Sequence, residues 1–401
     1  MGTETRPERA DVGRVEEALE NELVALRREL HRHPELAGNE ARTAALVAER
    51  LRGAGLTVTT GVGGHGVVAT VEGSEPGRTI AFRADVDAVP TDERPGLDFA
   101  SEALGAAHLC GHDLHTAVGV GLGVVLARAA ARGELAGRVV LIFQPAEEAL
   151  AGARAMLDDG VLSVAGGAGI DEIHAYHCGP LPVGAVAVGP GYGFPGIDWF
   201  RVELTGDDAA ARAAAVVAAV RRLGTVGFPD SDEAFERLAE ELSVPDGPHA
   251  TFVLTDADVD DRPGTAVVRG WFRAWPDSRY AELRAELGAV ARDADARLTF
   301  DGEPFPGMVN AVEPSVAFGD HVRGAFGDAA VEVLHAAYPF NGEDFALFLH
   351  ALPGAMHILG VANPAEGLNG VPHHPGFGAD ERAIAFGVEA MAGFLVARAS
   401  G

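Results

Sequence analysis

Residues 138–148 read RVVLIFQPAEE. After Arg138 the run is apolar without alternation, as expected of a strand covered on both faces rather than on one. A sheet covered on both faces needs helical layers, and the flanking sequence supplies them. Helical spacing covers 14–33, with Leu23, Leu26 and Leu30 on one face, and 40–54, with Ala45, Leu46, Val47 and Leu51. Residues 114–131 read as a buried helix rich in Ala, Gly and Val. Short β-type runs lie at 56–60, 66–71, 79–83, 173–176 and 183–188. This alternation of strands and helices predicts an α/β layered fold.

The pattern changes near Pro195. Residues 198–205 read as a strand, 207–223 and 232–242 as helices, 250–255 and 265–274 as strands, 277–293 as a helix and 297–301 as a strand. That order describes a small α+β sandwich with one open sheet. The stretch 301–307, DGEPFPG, reads as a return linker. Beyond it, 313–325, 342–350 and 379–398 have helical character and 329–334 and 355–360 strand character. The expected organisation is a discontinuous domain, 1–195 and 305–401, interrupted by an inserted domain at 196–304.

The chain has 401 residues, enough for two domains at roughly 100–200 residues each. Its net charge is −28, from 31 Lys+Arg and 59 Asp+Glu. Nucleic acid and anionic membrane surfaces, which need clustered positive charge, are therefore not expected partners. No Walker loop and no GxGxxG in a strand–helix context is present, which argues against nucleotide binding. The first 30 residues hold no apolar run, so no signal peptide is expected. No apolar stretch reaches 18 residues unbroken, so no membrane span is expected. Two cysteines cannot staple a chain this long, and a reducing, cytoplasmic location is the expectation.

Several clusters could carry chemistry. Asp85 and Asp87 alternate at the end of a β-type run, so both point to one side; taken alone, the pair is better read as a turn cap or a solvated strand end. In HLCGHDLHT, 108–116, Cys110 and His112 flank Gly111 and can converge on one ion, because thiolate and imidazole suit zinc and related metals. Asp113 and His115 follow at a helix start, where an acidic side chain is favoured. Taken alone, CxH is weak evidence. Glu147 and Glu148 sit at the mouth of the buried 138–143 strand, where paired carboxylates are costly unless something uses their charge. Successive side chains point different ways, so one could ligate while the other moves protons. His174 and His177 lie on the next strand, and His373 and His374 stand 196 residues after His177 or just beyond.

The ordered segments LHRHPEL (30–36), FRADVDAVP (82–90), HLCGHDLHT (108–116), LIFQPAEEALAGARAMLDDG (141–160), YHCGPLPVG (176–184), NGEDFALFL (341–349) and HHPGF (373–377) resemble the amidohydrolase branch of the aminoacylase/carboxypeptidase-type metallopeptidases. That branch includes hippurate hydrolases, N-acetyl-diaminopimelate deacetylases and indole-acetyl-amino-acid hydrolases. The resemblance covers roughly residues 20–190 and 305–398. It implies a two-metal hydrolase domain with a mixed sheet and flanking helices, interrupted by a lid or dimerisation domain. Cys110, His112, Glu148, His177 and His373 match the family's metal ligands and Glu147 its general base. Asp85, Asp87, Asp113 and His115 would support the ligands from behind. Arg273, Glu343 and Asp344 match positions that face substrate or oxyanion. Two divalent ions are implied, with Zn, Mn, Co and Ni all compatible with the mixed donor set. The implied substrate is a small N-acyl amino acid or related amide.

One departure stands out. Where the family carries a GxGGHAA-type turn, residues 204–212 read LTGDDAAAR, so Asp207 and Asp208 stand near the position of the expected histidine. The family's NVIP segment is replaced by 260–263, DDRP. These losses leave a homodimer through the inserted domain in question. They also keep two further readings open: a specialised cleavage or acyl transfer on the same scaffold, and a metal-binding homologue with impaired catalysis. His249 is a conceivable substitute for the missing histidine.

Overall fold

The computed structural model describes residues 14–94, 96–164, 169–229, 231–245 and 247–401. The chain divides into two compact units. Of the described residues, the first comprises those up to Val188 with Ala311–Glu332 and Phe348–Gly401, and the second those of Gly189–Asn310 and Val333–Leu347. The second unit thus extends a few residues beyond the expected 196–304 span. It also takes in residues 333–347, which the sequence reading kept with the catalytic segments.

The chain opens with helices α1 (Glu17–Arg32) and α2 (Ala41–Gly53) and strands β1 (Thr57–Val62), β2 (Gly66–Glu72) and β3 (Glu75–Asp85). Then come α3 (His112–Ala131), β4 (Ala136–Gln144), α4 (Gly152–Asp158), α5 (Val161–Val164), β5 (Glu172–Pro182) and β6 (Val186–Val188). The second unit contributes β7 (Gly193–Phe194), β8 (Asp198–Thr205), α6 (Ala209–Arg221), α7 (Asp232–Leu242), β9 (Phe252–Arg262), β10 (Thr265–Trp275), α8 (Arg279–Asp293), β11 (Arg297–Phe300) and β12 (Met308–Val309). The chain closes with α9 (Val312–Phe326), β13 (Val331–Val333), α10 (Ala346–Ala351), β14 (Gly354–Ala362) and α11 (Arg382–Ala399).

The main sheet has the order β1-β2-β4-β3-β5-β14-β6-β13. Its centre, β4-β3-β5-β14, is parallel, and β2 and β6 attach antiparallel on either side. It is the mixed sheet that the resemblance implied. β4 explains the uninterrupted apolar run: Val139 to Phe143 are all buried between strands and covering helices. Leu141 and Phe143 each contribute roughly 1.5–3 kcal/mol by leaving water.

Among the described residues α3 is the helix long and apolar enough to cross a membrane, but 72% of that window is buried inside the protein. Its apolar surface packs on α1, α11 and β3. A Cβ on Gly119 would lie 2.8 Å from the Phe143 ring, so the helix lies closer to the sheet than alanine would permit.

In the second unit the sheet order is β11-β8-β10-β9, antiparallel throughout. Phe200, Val202 and Leu204 of β8 and Val268 and Phe272 of β10 bury against α6 and α8 on one face. Pro263 and Gly264 form the two-residue β9–β10 turn, with Gly264 at φ 76° as that turn demands.

Several boundaries differ from the sequence reading. β5 continues to Pro182 instead of ending at 176, because His177 stays in the ladder opposite Ile358. β6 is correspondingly only three residues long. Helix α10 begins at Ala346 rather than 342, since Glu343 turns its carboxylate to the Phe345 N–H at 2.9 Å before the first turn. α3 begins at His112, two residues earlier than expected.

Candidate metal centre

The parallel strands β3, β4 and β5 point their carboxyl ends the same way, the edge at which open α/β sheets bind ligands. β3 ends at Asp85 beside Gln144, the last residue of β4, and β5 carries His177. The chain then brings Cys110 and His112 to the same edge through Gly111. Gly111 holds φ 86°, and its missing side chain leaves room for Cys178, whose Sγ would lie 2.7 Å from a Cβ there. The turn therefore needs glycine twice over, for its dihedral and for its packing.

Five of the expected ligands converge. Cys110 Sγ lies 3.3 Å from His177 Nε2 and 3.2 Å from His373 Nε2. Glu148 Oε1 lies 3.2 Å from His373 Nε2 and 3.7 Å from His112 Nε2. Metal bonds of about 2.0–2.3 Å in a tetrahedral set separate neighbouring donor atoms by roughly 3.3–3.8 Å, which these distances match closely. The donors fall into the groups Cys110/His112/His177 and Cys110/Glu148/His373, so Cys110 belongs to both. Glu147 joins His112 and Glu148 in a further group, its Oε2 3.9 Å from His112 Nε2.

The imidazoles are held in the tautomer that a metal needs. His112 Nδ1 donates to the Asp87 carbonyl at 2.9 Å, and His177 Nδ1 to the Cys178 carbonyl at 2.8 Å. Each Nε2 lone pair is thereby turned toward the other donors. His112 Nε2 is buried without a hydrogen-bond partner, an arrangement that is costly unless a cation occupies the gap. The electrostatics agree. Burial, then the charges of Glu148, Glu147 and Asp85, push the Cys110 thiol well above its ordinary value, so a thiolate here requires a positive charge beside it. Burial opposes an imidazolium at His112, yet Asp85, Asp87 and Glu148 together raise it to about 10. The site draws cations. Its residues fit a divalent metal.

The four supporting residues divide into three roles. Asp85 receives Arg83 at 2.5 Å and His115 Nδ1 at 2.6 Å. His115 Nε2 in turn accepts the Cys178 N–H at 2.8 Å and lies 3.1 Å from Cys178 Sγ, fixing the backbone next to His177. Although Asp85, His112 and His115 could themselves gather around an ion, the direct Asp85–His115 bond already satisfies both partners. Asp87 accepts the Glu148 N–H at 3.0 Å through Oδ2, which fixes the backbone of that residue from behind. Asp113 turns away, toward Arg27 at 2.7 Å and His31 at 2.8 Å on α1. The 145–150 loop is further held by Glu40, whose Oε1 accepts the Ala146 N–H at 2.9 Å. His373 at φ 61° and Ala146 at φ 53° are left-handed without being glycine, the kind of strain that accumulates at functional loops.

Residues 81–397 match Peptidase family M20/M25/M40. The chain belongs to that family. It is 30% identical over 377 residues to the N-acetyl-L-cysteine deacetylase of Bacillus subtilis (strain 168), covering 91% of this chain and 85% of that protein. It is 29% identical over 392 residues to thermostable carboxypeptidase 1 of Saccharolobus solfataricus, covering 93% and 94%. Among solved structures it resembles the YXEP protein of Bacillus subtilis, described as a dinuclear metal binding peptidase from the M20 family. The TM-score is 0.76 at 29% identity, with 96% of this chain and 99% of that one covered. Family membership and these hydrolase relatives make the chain a metallo-amidohydrolase.

Of the remaining sequence candidates, Arg273, Glu343 and Asp344 lie in the second unit, where the Arg273 guanidinium sits against Gly342. Asp207 and Asp208 are exposed, and Asp208 pairs with Arg212 at 2.9 Å one turn along α6. His249 is tied to Glu241 at 2.8 Å within the same unit. His108 is buried with no partner on either ring nitrogen, and burial lowers it to about 3, which keeps it neutral. Sequence reasoning missed Cys178, Glu40, Arg27 and Glu93. Of this set only Cys178 lay in a stretch that carried the resemblance, YHCGPLPVG at 176–184, and no role was read for it there.

Proposed function

We propose that the chain hydrolyses the amide bond of an N-acyl amino acid or related small amide, with two divalent ions held by Cys110, His112, Glu148, His177 and His373. The observation that carries this reading is Cys110 standing in two donor groups at once, with Glu147 beside them. Bound there, such a pair of ions polarises an amide carbonyl and acidifies water. The Glu147 carboxylate, 5% exposed, takes the proton of the attacking water and returns it to the leaving amine, so that amide and water become carboxylic acid and amine. Asp87 and His115 hold their neighbours still while this happens, which preserves the near-attack arrangement. The resemblance assigns Arg273, Glu343 and Asp344 to the substrate and oxyanion.

The name of the deacetylase relative makes N-acetylcysteine the first substrate to try, followed by a panel varying acyl group and amino acid. Turnover with Zn, Mn, Co or Ni supports the reading. No release of amine from any member of the panel under all four metals refutes it. A second reading, acyl transfer or a specialised cleavage, is favoured by Asp207 and Asp208 standing near the place where the family has a histidine. Mass analysis with added amine acceptors separates it, since transfer yields a new amide and hydrolysis does not.

A further inference from the structure

We propose that His31, on the last turn of α1, is a positioning residue that ties together the two backbone segments carrying His112 and His373. The inference rests on the metal reading above.

His31 is fully buried. Its Nδ1 lies 2.8 Å from Asp113 Oδ2 and its Nε2 2.8 Å from Glu93 Oε2. Carboxylate oxygens only accept, so both ring nitrogens donate and the ring is an imidazolium. Burial works against that charge, but Asp113 and Glu93 outweigh it and raise the ring above its ordinary value. The other ionisable groups facing it are Arg27, which shares Asp113 Oδ2 at 2.7 Å, and His108, whose ring centroid is 6.4 Å away. Phe99 closes the cluster, its ring 5.3 Å from His31 and 4.7 Å from the Arg27 guanidinium.

Each carboxylate leads to a different side of the metal centre. Asp113 directly follows His112 at the start of α3. Glu93 precedes Arg94, whose N–H donates to the Pro375 carbonyl at 2.9 Å, two residues beyond His373. The other oxygen of Glu93 accepts the Ser101 N–H at 3.0 Å, which steadies the loop carrying it. His373 depends on such support. Its φ of 61° is strained, and apart from the Pro375–Arg94 bond its backbone is held by a 2.7 Å bond from its N–H to the Leu109 carbonyl. A strained ligand keeps its place only where its surroundings over-determine it. Removing the His31 strut therefore loosens His373 more than His112, which α3 continues to hold.

The test is cobalt titration of metal-free protein, by calorimetry and by the thiolate-to-cobalt absorption band. His31→Ala should weaken one binding step by about 10- to 100-fold, the range for losing a residue that orients a ligand. It should be the same step that His373→Ala abolishes, with the other within about threefold. Glu93→Ala cuts only the loop half of the strut and leaves His31 on Asp113. It should weaken the same step, and serves if His31→Ala does not fold. Leu23→Ala, on the same helix and buried against α3, controls for general destabilisation and should leave both steps unchanged.

Wild-type protein that takes up no cobalt fails the metal reading, and this inference with it. Two-step binding in the wild type that is unaltered in both His31→Ala and Glu93→Ala overturns the strut and leaves the metal reading standing. Equal weakening by Leu23→Ala also overturns it.

Discussion

Gly111→Ala is the substitution whose consequences follow most directly from the coordinates. An L-residue at φ 86° pays about 1–2 kcal/mol for the left-handed backbone. The new methyl would also lie 2.7 Å from Cys178 Sγ, 3.0 Å from Cys178 Cβ and 3.4 Å from the Phe377 ring. Cys178 cannot retreat freely, because its N–H and its Sγ both meet His115 Nε2. Overpacking of this kind costs about 1–3 kcal/mol. The expected loss is about 2–5 kcal/mol, a large fraction of the roughly 5–15 kcal/mol that holds a typical domain together.

Urea denaturation of the metal-free, reduced protein measures that loss. Pairing the change with Cys178→Ala removes the sulfur but not the dihedral strain, so about 1–2 kcal/mol should return as non-additivity. A Gly111→Ala protein within about 0.5 kcal/mol of wild type would refute the reasoning, and so would strict additivity with Cys178→Ala. Metal uptake should fall in parallel, since Gly111 sits between Cys110 and His112.

Two other outcomes are expected. Glu40→Ala leaves the half-buried Ala146 N–H and the exposed Gly38 N–H without their carboxylate acceptor and should cost about 1–3 kcal/mol in all in denaturation midpoint analysis, whereas Glu40→Gln keeps an oxygen there and should recover most of it. At the far end of the sheet, burial would raise the Glu172 carboxyl, but hydrogen bonds from His174 and Arg398 hold it at about 2, below its ordinary 4.5. A depressed carboxyl stabilises the fold above pH 4.5, and that contribution is lost as pH falls toward 2. Glu172→Gln should therefore cost about 1.5–3 kcal/mol at neutral pH and little at about pH 2.5. An equal loss at both pH values contradicts the assignment.

The sequence disclosed most where one local pattern had one physical solution. The unbroken 138–143 run read as a strand covered on both faces, and that strand anchors the sheet. Cys110, His112, Glu147, Glu148, His177 and His373 were legible because their order along the chain matched a family, and the fold gathers them at one sheet edge. What stayed hidden depended on distant partners. Asp113 read as a helix-dipole residue beside the site, yet its carboxylate faces Arg27 and His31, more than eighty residues earlier. Cys178 received no role from the sequence because its meeting with His115 arises only from the packing of β5 beside α3. Glu343 resembled part of a helix, and only the Phe345 hydrogen bond shows where that helix begins.

The central claim is tested most directly by measuring bound metal and N-acyl hydrolysis on the same sample, for wild type and Glu147→Gln. The account predicts about two ions per chain in both proteins, with wild-type turnover abolished by chelation and restored by metal. It predicts turnover reduced by about 10²- to 10⁴-fold in Glu147→Gln, the span attributed to a general base. Undiminished hydrolysis by Glu147→Gln, or by the fully chelated wild type, would contradict it.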